Sequence, residues 1–260
     1  RTSAVPLRLA PLARPGRKKR TQRFFDTSVR CASNVGGKMF EHIDRLKLTL
    51  LSAFGVGVVL AVMSSTACAE TGYPLDHIER TIAPRGPVRC PKVAKVRYRG
   101  AVIRYHSPVW VNVHFRQRLE RFETVVRQVA IEIYGRAPRR IRHIGTYNCR
   151  RIAAWPSYLS EHGLANAIDV AGFDFAAAPR RLRASTPRRL RRPFRVRLLR
   201  HWNASSRSGE IHSRFLRTVA RRVAARRDIF RVVLGPGYPG HSNHFHFDCG
   251  PWRMVEFQPR

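Results

Sequence analysis

Three histidines crowd the end of the chain in His241-Ser-Asn-His244-Phe-His246-Phe-Asp248. Far upstream lies Ser160-Glu-His162-Gly-Leu-Ala-Asn-Ala-Ile-Asp169. Two histidines and one acid drawn from separate segments are the ligand set of a catalytic zinc site, which leaves one coordination position open. Three histidines so close together, with an H-x6-D element elsewhere, make a stronger signal than any lone histidine. His42, His77, His106, His114, His143, His201 and His212 read as ordinary surface residues.

Spacing constrains how these residues can meet. On a helix, His162 and Asp169 would share a face but stand ~10 Å apart along the axis. On a strand, their odd separation would put them on opposite faces. Neither arrangement suits one metal with bonds of ~2.0–2.2 Å. Co-ligation therefore requires the chain to double back between them. Gly163 and Asn166 suit such a turn, and Ala167, Ile168, Val170 and Ala171 suit a buried strand after it. Downstream, His244, His246 and Asp248 are spaced by two and line one face of a strand, with Phe245 and Phe247 turned to the core. One histidine of the pair can complete the metal site while its neighbour reaches substrate. Asp248 is placed to accept the other ring N–H of a liganding histidine.

The elements that must position these residues can be read in order. Residues 70–84 are a Pro/Gly-rich linker or irregular lead-in. Strands are expected between Val93 and Val113, with a turn at Gly100. Phe115, Leu119, Phe122, Val126, Val129 and Ile133 form the inner face of a helix whose outer face holds Arg116, Arg118, Glu123 and Arg127. Gly135 and Pro138 end it. Ile141–Tyr147 reads as a strand, and 178–201 as an Arg-rich surface loop beside the site. A second helix runs over 211–227, with Ile211, Phe215, Val219 and Val223 inward. Phe230–Leu234 is a strand, and Gly235–Gly240 the turn delivering the histidines. The fold class is α+β: a small central antiparallel sheet carrying a zinc site, flanked by helices, behind a disordered or processed N-terminus.

Residues 1–38 show no period of helix or strand and read as unstructured, a possible translation upstream of the true start. The stretch 39–69 has basic Arg45 and Lys47, an apolar run from Leu48 to Met63 and Ala67-Cys68-Ala69, the order of a secretory signal peptide. Two alternatives stay open: an uncleaved membrane anchor, or lipid attachment at Cys68, where Ser65 replaces the usual Leu. After cleavage Cys90, Cys149 and Cys249 remain, giving one disulfide and one leftover thiol in an oxidising compartment. Cys149 with Cys249 is attractive because both flank the site, and Cys90 competes.

The formal charge is +34. Twelve basic residues and three acids fall in 1–69, so the remainder carries +25. Such a surface favours anionic partners, or it reflects an Arg-rich background of solvated faces. No zinc-finger spacing or aromatic RNA-binding pattern accompanies it.

Gly145-Thr-Tyr-Asn-Cys149-Arg150, the Ser160–Asp169 element, Val233-Leu-Gly-Pro-Gly-Tyr238 and the histidine run resemble the extensin-like C-terminal domain of bacterial exported proteins. The resemblance covers about residues 85–255. That domain is similar to zinc peptidases that include D-alanyl-D-alanine carboxypeptidases, lysostaphin-type endopeptidases and murein endopeptidases. The resemblance implies Zn2+ on His162, Asp169 and His246, with His244 activating or steadying the attacking water. It implies Arg150 or His241 at the substrate carboxylate or oxyanion. Ala165 stands where that group usually has Gly, and no cysteine occupies 228–230, where the family usually has one.

The expected function is an exported peptidase of peptidoglycan peptides, in the periplasm or cell envelope. The alternatives are a non-catalytic wall-binding module of the same fold and an envelope protein holding acidic polymers through its arginines. A membrane partner is expected only if the leader stays uncleaved or Cys68 is lipidated, and nucleic acid is not an expected partner.

Overall fold

The computed structural model describes residues 72–257. The leader and the segment before it lie outside the described residues. The elements are β1 (Lys95–Tyr98), β2 (Arg104–Tyr105), β3 (Val109–Asn112), α1 (Val113–Tyr134), β4 (Arg140–Gly145), β5 (Arg151–Ile152) and β6 (Trp155–Leu159). There follow β7 (Ala167–Phe175), β8 (Phe194–Arg197), α2 (Leu198–His201), α3 (Glu210–Ala224), β9 (Val232–Leu234), β10 (Phe245–Asp248) and β11 (Met254–Glu256). The described residues, 72–257, cluster as one compact unit. Among the described residues no helix is long and apolar enough to cross a membrane.

The architecture is α+β, and β7 is its spine. In the seven-stranded sheet, β4 runs along one edge of β7, while β10 and then β8 share the other. The order β11-β9-β10-β7-β4-β2 is antiparallel in its middle, but β11 with β9 and β2 with β4 are parallel. The sheet is thus mixed, where antiparallel pairing throughout was expected. The outer strands β2 and β11 reach the sheet through loops, so their direction is not set by a hairpin turn. Hairpins β1–β3 and β5–β6 stand apart from it.

Helix α1 begins where the Asn112 side chain accepts from the His114 amide and ends at Gly135, whose φ of 70° suits a residue without Cβ. Phe115, Leu119, Phe122, Val126 and Val129 are fully buried. Phe122 and Phe230 both pack on Phe247 of β10, which joins the helix to the strand carrying the histidines. Phe245 and Phe247 are fully buried on the opposite face from His246. Helix α3 buries Phe215, Val219 and Val223 as its period dictates.

Several expectations change. Glu123 is buried rather than on the outer face of α1. It accepts from the Tyr98 hydroxyl at 2.8 Å and from the amides of Ala101, Val102 and Ile103, so it caps a loop. Of the two readings of 70–84, the described part is an irregular lead-in and not a linker, because Tyr73, Leu75 and Arg80 are buried in the body. The Arg-rich stretch 178–201 holds β8, paired with the second half of β7. His143 and His106 share Ser107, and His201 packs on His212, which contacts the Tyr134 hydroxyl. These four histidines are part-buried and partnered, not plain surface residues.

Candidate metal centre

The chain does double back between His162 and Asp169. Glu161–Leu164 form one turn of 3-10 helix, opened by Ser160 and closed by Ala165 in the left-handed conformation. Ala165, at φ 50°, is the one described residue other than Gly with positive φ. The tight reversal therefore falls on Ala165, not on Gly163 or Asn166. For an L-residue this conformation costs about 1–2 kcal/mol, so surrounding contacts must enforce it.

Those contacts are a buried polar network absent from the sequence reading. Arg80 Nε donates to Glu161 at 2.8 Å, and Asn166 Nδ2 donates to the other Glu161 oxygen at 2.5 Å. The Tyr73 hydroxyl donates to Asn166 Oδ1 at 2.6 Å. Burial pushes the Glu161 carboxyl up, and the Arg80 guanidinium works against that. Below the turn, a disulfide joins Cys90 to Cys149. A Cβ on Gly163 would come within 2.6 Å of Cys90 Sγ, so glycine is required by close approach. Among the described residues Cys249 is the free thiol; it is buried, and its Sγ lies 3.4 Å from the Ile229 carbonyl. Of the pairings left open by the sequence, the structure forms Cys90–Cys149 and leaves Cys249 out. Cys249 faces the 228–230 stretch in which this chain lacks a cysteine.

After the turn, Asp169 enters β7 with His246 of β10 directly opposite and Gly145 of β4 on its other side. His162 Nε2 lies 3.3 Å from Asp169 Oδ2, and His246 Nδ1 lies 2.9 Å from Asp169 Oδ1. The two imidazoles are 3.2 Å apart at these nitrogens. One donor atom from each of His162, Asp169 and His246 falls within 4.8 Å of the others. This donor group could hold a metal ion.

The far sides of the rings fit that use. His162 Nδ1 lies 3.0 Å from the Thr146 carbonyl, which only accepts, so Nδ1 carries the hydrogen and Nε2 turns its lone pair to the cluster. His246 Nε2 lies 2.7 Å from Asp248 Oδ2, and Asp248 Oδ1 accepts from the Gly250 amide. A carboxylate behind a liganding imidazole fixes its tautomer and raises its basicity.

Charge is coupled across the cluster. Burial opposes ionisation of Asp169, but its contacts with His162 and His246 outweigh it and hold the carboxyl well below the usual range. Burial likewise opposes a charged His246, yet Asp169 and Asp248 on either side push its pKa up to about 9. An ion would therefore replace a proton on His246.

The cluster opens on a cleft of ≈ 330 Å³ lined by Arg150, Asp169, His241, His244, His246 and Asp248. His162 lies beneath, 2 % exposed. His244 Nε2 is 3.6 Å from Asp169 Oδ1, and its Nδ1 is 2.7 Å from Asn243 Oδ1. Burial lowers the His244 pKa to about 4. His241 stacks near His244, with ring centroids 4.8 Å apart, and burial lowers its pKa too. The hairpin β5–β6 supplies an apolar wall through Ile152, Ala153, Ala154 and Trp155.

An α+β sheet with an aspartate and a histidine on its central strands, met by a second histidine from the turn that enters β7, defines a candidate metalloprotein domain. The family model for "Extensin-like protein C-terminus" matches residues 66–256, and the chain belongs to that family. No curated protein and no solved structure matches it significantly.

Proposed function

We propose that this domain is an exported zinc-dependent peptidase acting on peptidoglycan peptides in the periplasm or cell envelope. The observation that carries the reading is the division of labour in the cleft. His162, Asp169 and His246 converge, the two imidazoles with their far nitrogens already partnered, while His241 and Arg150 line the same cleft and His244 reaches it beside Asp169. A purely structural zinc would usually be closed by four protein ligands.

Zinc held by His162 Nε2, Asp169 and His246 Nδ1 would polarise the scissile carbonyl and lower the pKa of water towards ~7. The remaining steps belong to the chain. Asn243 Oδ1 only accepts, so the hydrogen of His244 sits on Nδ1 and Nε2 offers a lone pair to the cleft. With its pKa lowered to about 4, His244 is neutral at pH 7 and can take the proton of an attacking water. The same proton then passes to the departing amine. Arg150, at the rim, offers a permanent cation to a substrate carboxylate or to the oxyanion. The resemblance to wall peptidases supplies the substrate class.

Incubating purified residues 64–260 with murein sacculi tests this directly. Chelator-sensitive release of muropeptides, abolished in His162→Ala and reduced at least about 100-fold in His244→Ala, is expected. Zinc bound at one per chain without release of any peptide would move the assignment to a wall-binding module.

A further inference from the structure

Between β4 and β5 the chain runs from Thr146 to Arg150 without regular structure, yet this segment holds the buried His162. The Thr146 carbonyl accepts from His162 Nδ1 at 3.0 Å, and the Asn148 amide donates to the His162 carbonyl at 3.1 Å. The Arg150 carbonyl accepts from the amide of Ser160, the residue that opens the turn, at 3.0 Å. One segment thus fixes the ring of His162, its backbone and the start of its turn. An imidazole held at one nitrogen keeps the other aimed at an ion.

The two ends of the segment are secured without any sulfur. Gly145 pairs with Asp169 in the sheet. Arg151 donates to the carbonyls of Ala83, Arg85 and Gly86 at 2.8 to 3.0 Å. Between those ends the Tyr147 ring lies 3.7 Å under the Lys95 ammonium, a weak contact at an exposed site. The strong tie there is the disulfide from Cys149 to Cys90.

The two sulfurs sit in unlike surroundings. Cys90 Sγ is packed against the back of the His162 turn: a Cβ on Gly163 would lie 2.6 Å from it and 3.3 Å from Leu159 Cδ1. Cys149 is exposed. When the bond breaks, the sulfurs must part to van der Waals contact. Cys90 has no room to move towards Gly163, so the displacement falls on Cys149 and on Thr146–Asn148 before it. Exposure also makes Cys149 the sulfur open to attack. Cys249 is no competitor, because it is buried against the Ile229 carbonyl and burial pushes its thiol pKa up, which denies it the thiolate form.

We propose that the Cys90–Cys149 disulfide is a redox gate on the metal centre: formed, it aims His162 at the ion, and reduced by a dithiol, it releases that aim. The inference rests on the reading of His162, Asp169 and His246 as metal ligands. The dithiol attacks Cys149 Sγ as a thiolate, the S–S bond breaks, and Cys90 leaves as a thiolate that takes up a proton. The reagent's second thiolate then displaces Cys149, which is protonated in turn, and the reagent is left oxidised as its own disulfide. Gly145 and Arg151 keep their ties throughout, so the release is local. The consequence is an order of assembly, with the disulfide made first and the ion bound second.

Zinc titration in competition with a chromophoric chelator decides the matter, on residues 64–260 carrying Cys68→Ser. Three forms are compared: oxidised, reduced by a phosphine that is then removed, and Cys90→Ala with Cys149→Ala. The oxidised form is expected to bind zinc about 10–100-fold more tightly than the other two, the loss that follows when a ligand's outer partner is released. Reoxidation should restore the reduced protein and leave the alanine variant as it was. Hydrogen exchange of the metal-free forms gives a readout without zinc: the Asn148 amide should lose protection on reduction while those of α1 stay protected. Equal zinc affinity in the oxidised form and either of the others overturns the proposal. Unfolding of α1 along with the loss of zinc also overturns it, and makes the disulfide a prop of the whole fold. Absence of zinc from every form, the oxidised one included, sinks the metal centre itself and the gate with it.

Discussion

The two arms that build the cluster are held in opposite ways. The arm with His162 and Asp169 is locked from below by the Arg80–Glu161 ion pair, the Tyr73–Asn166 hydrogen bond and the Cys90–Cys149 disulfide. The arm with His241 and His244 leaves a Gly/Pro-rich turn and is tied at its ring nitrogens to near neighbours, the Pro239 carbonyl and Asn243 Oδ1. Ligands need fixed geometry, while a proton carrier must tighten onto its substrate as the reaction proceeds. The stiff arm carries two of the three ligands and β10 the third, His246, while the looser segment just before β10 carries the proton carrier.

That contrast can be broken from the stiff side first. Cys90→Ser with Cys149→Ser reopens a loop of 59 residues and should cost roughly 4 kcal/mol in urea unfolding. Arg80→Met leaves Glu161 buried without its partner and should cost about 3 kcal/mol or more. His241→Ala, by the same measurement, should change stability by less than about 0.5 kcal/mol. Comparable losses in the two arms would erase the distinction.

Metal-free protein offers a pH test of the same arm. The folded pKa of His246, about 9, lies above its ordinary 6.5. Its contribution to stability is therefore complete below pH 6.5 and lost as pH rises through 9. Asp169, held low, contributes above its ordinary 3.8 and loses that contribution as pH falls further. Thermal melts in chelator should decline between pH 6.5 and 9, and His246→Gln should flatten that decline. A smaller effect sits at the turn. Ala165→Gly relieves a left-handed alanine but gives up its buried methyl and adds chain entropy, so stability should change by less than about 0.5 kcal/mol.

Legibility in the sequence followed the range of the interactions. Alternation over Phe245-His-Phe-Asp248 placed two rings in the core and two polar groups on one face, because strand period is local. The odd spacing of His162 and Asp169 required a reversal, and the chain makes one. Its left-handed residue was misplaced, since Ala165 carries no local preference for that conformation and is forced there by tertiary contacts. The Arg80–Glu161 pair spans 81 positions and leaves no periodic trace. Strand β8 was masked by arginines, whose long side chains let an exposed strand face read as a loop. The hairpin β5–β6 turns on Ala153-Ala154, which lacks the Asn-Gly or Asp-Gly signal of a tight turn. The disulfide depended on which chain segment passes under Gly163, and spacing cannot report that.

The central claim is that the stiff arm and β10 converge on one ion. Equilibrium zinc titration of residues 64–260 tests it most directly. The account predicts one zinc per chain, lost in His162→Ala, Asp169→Ala and His246→Ala and retained in His244→Ala. Full zinc binding by His162→Ala, or its loss in His244→Ala alone, would contradict it.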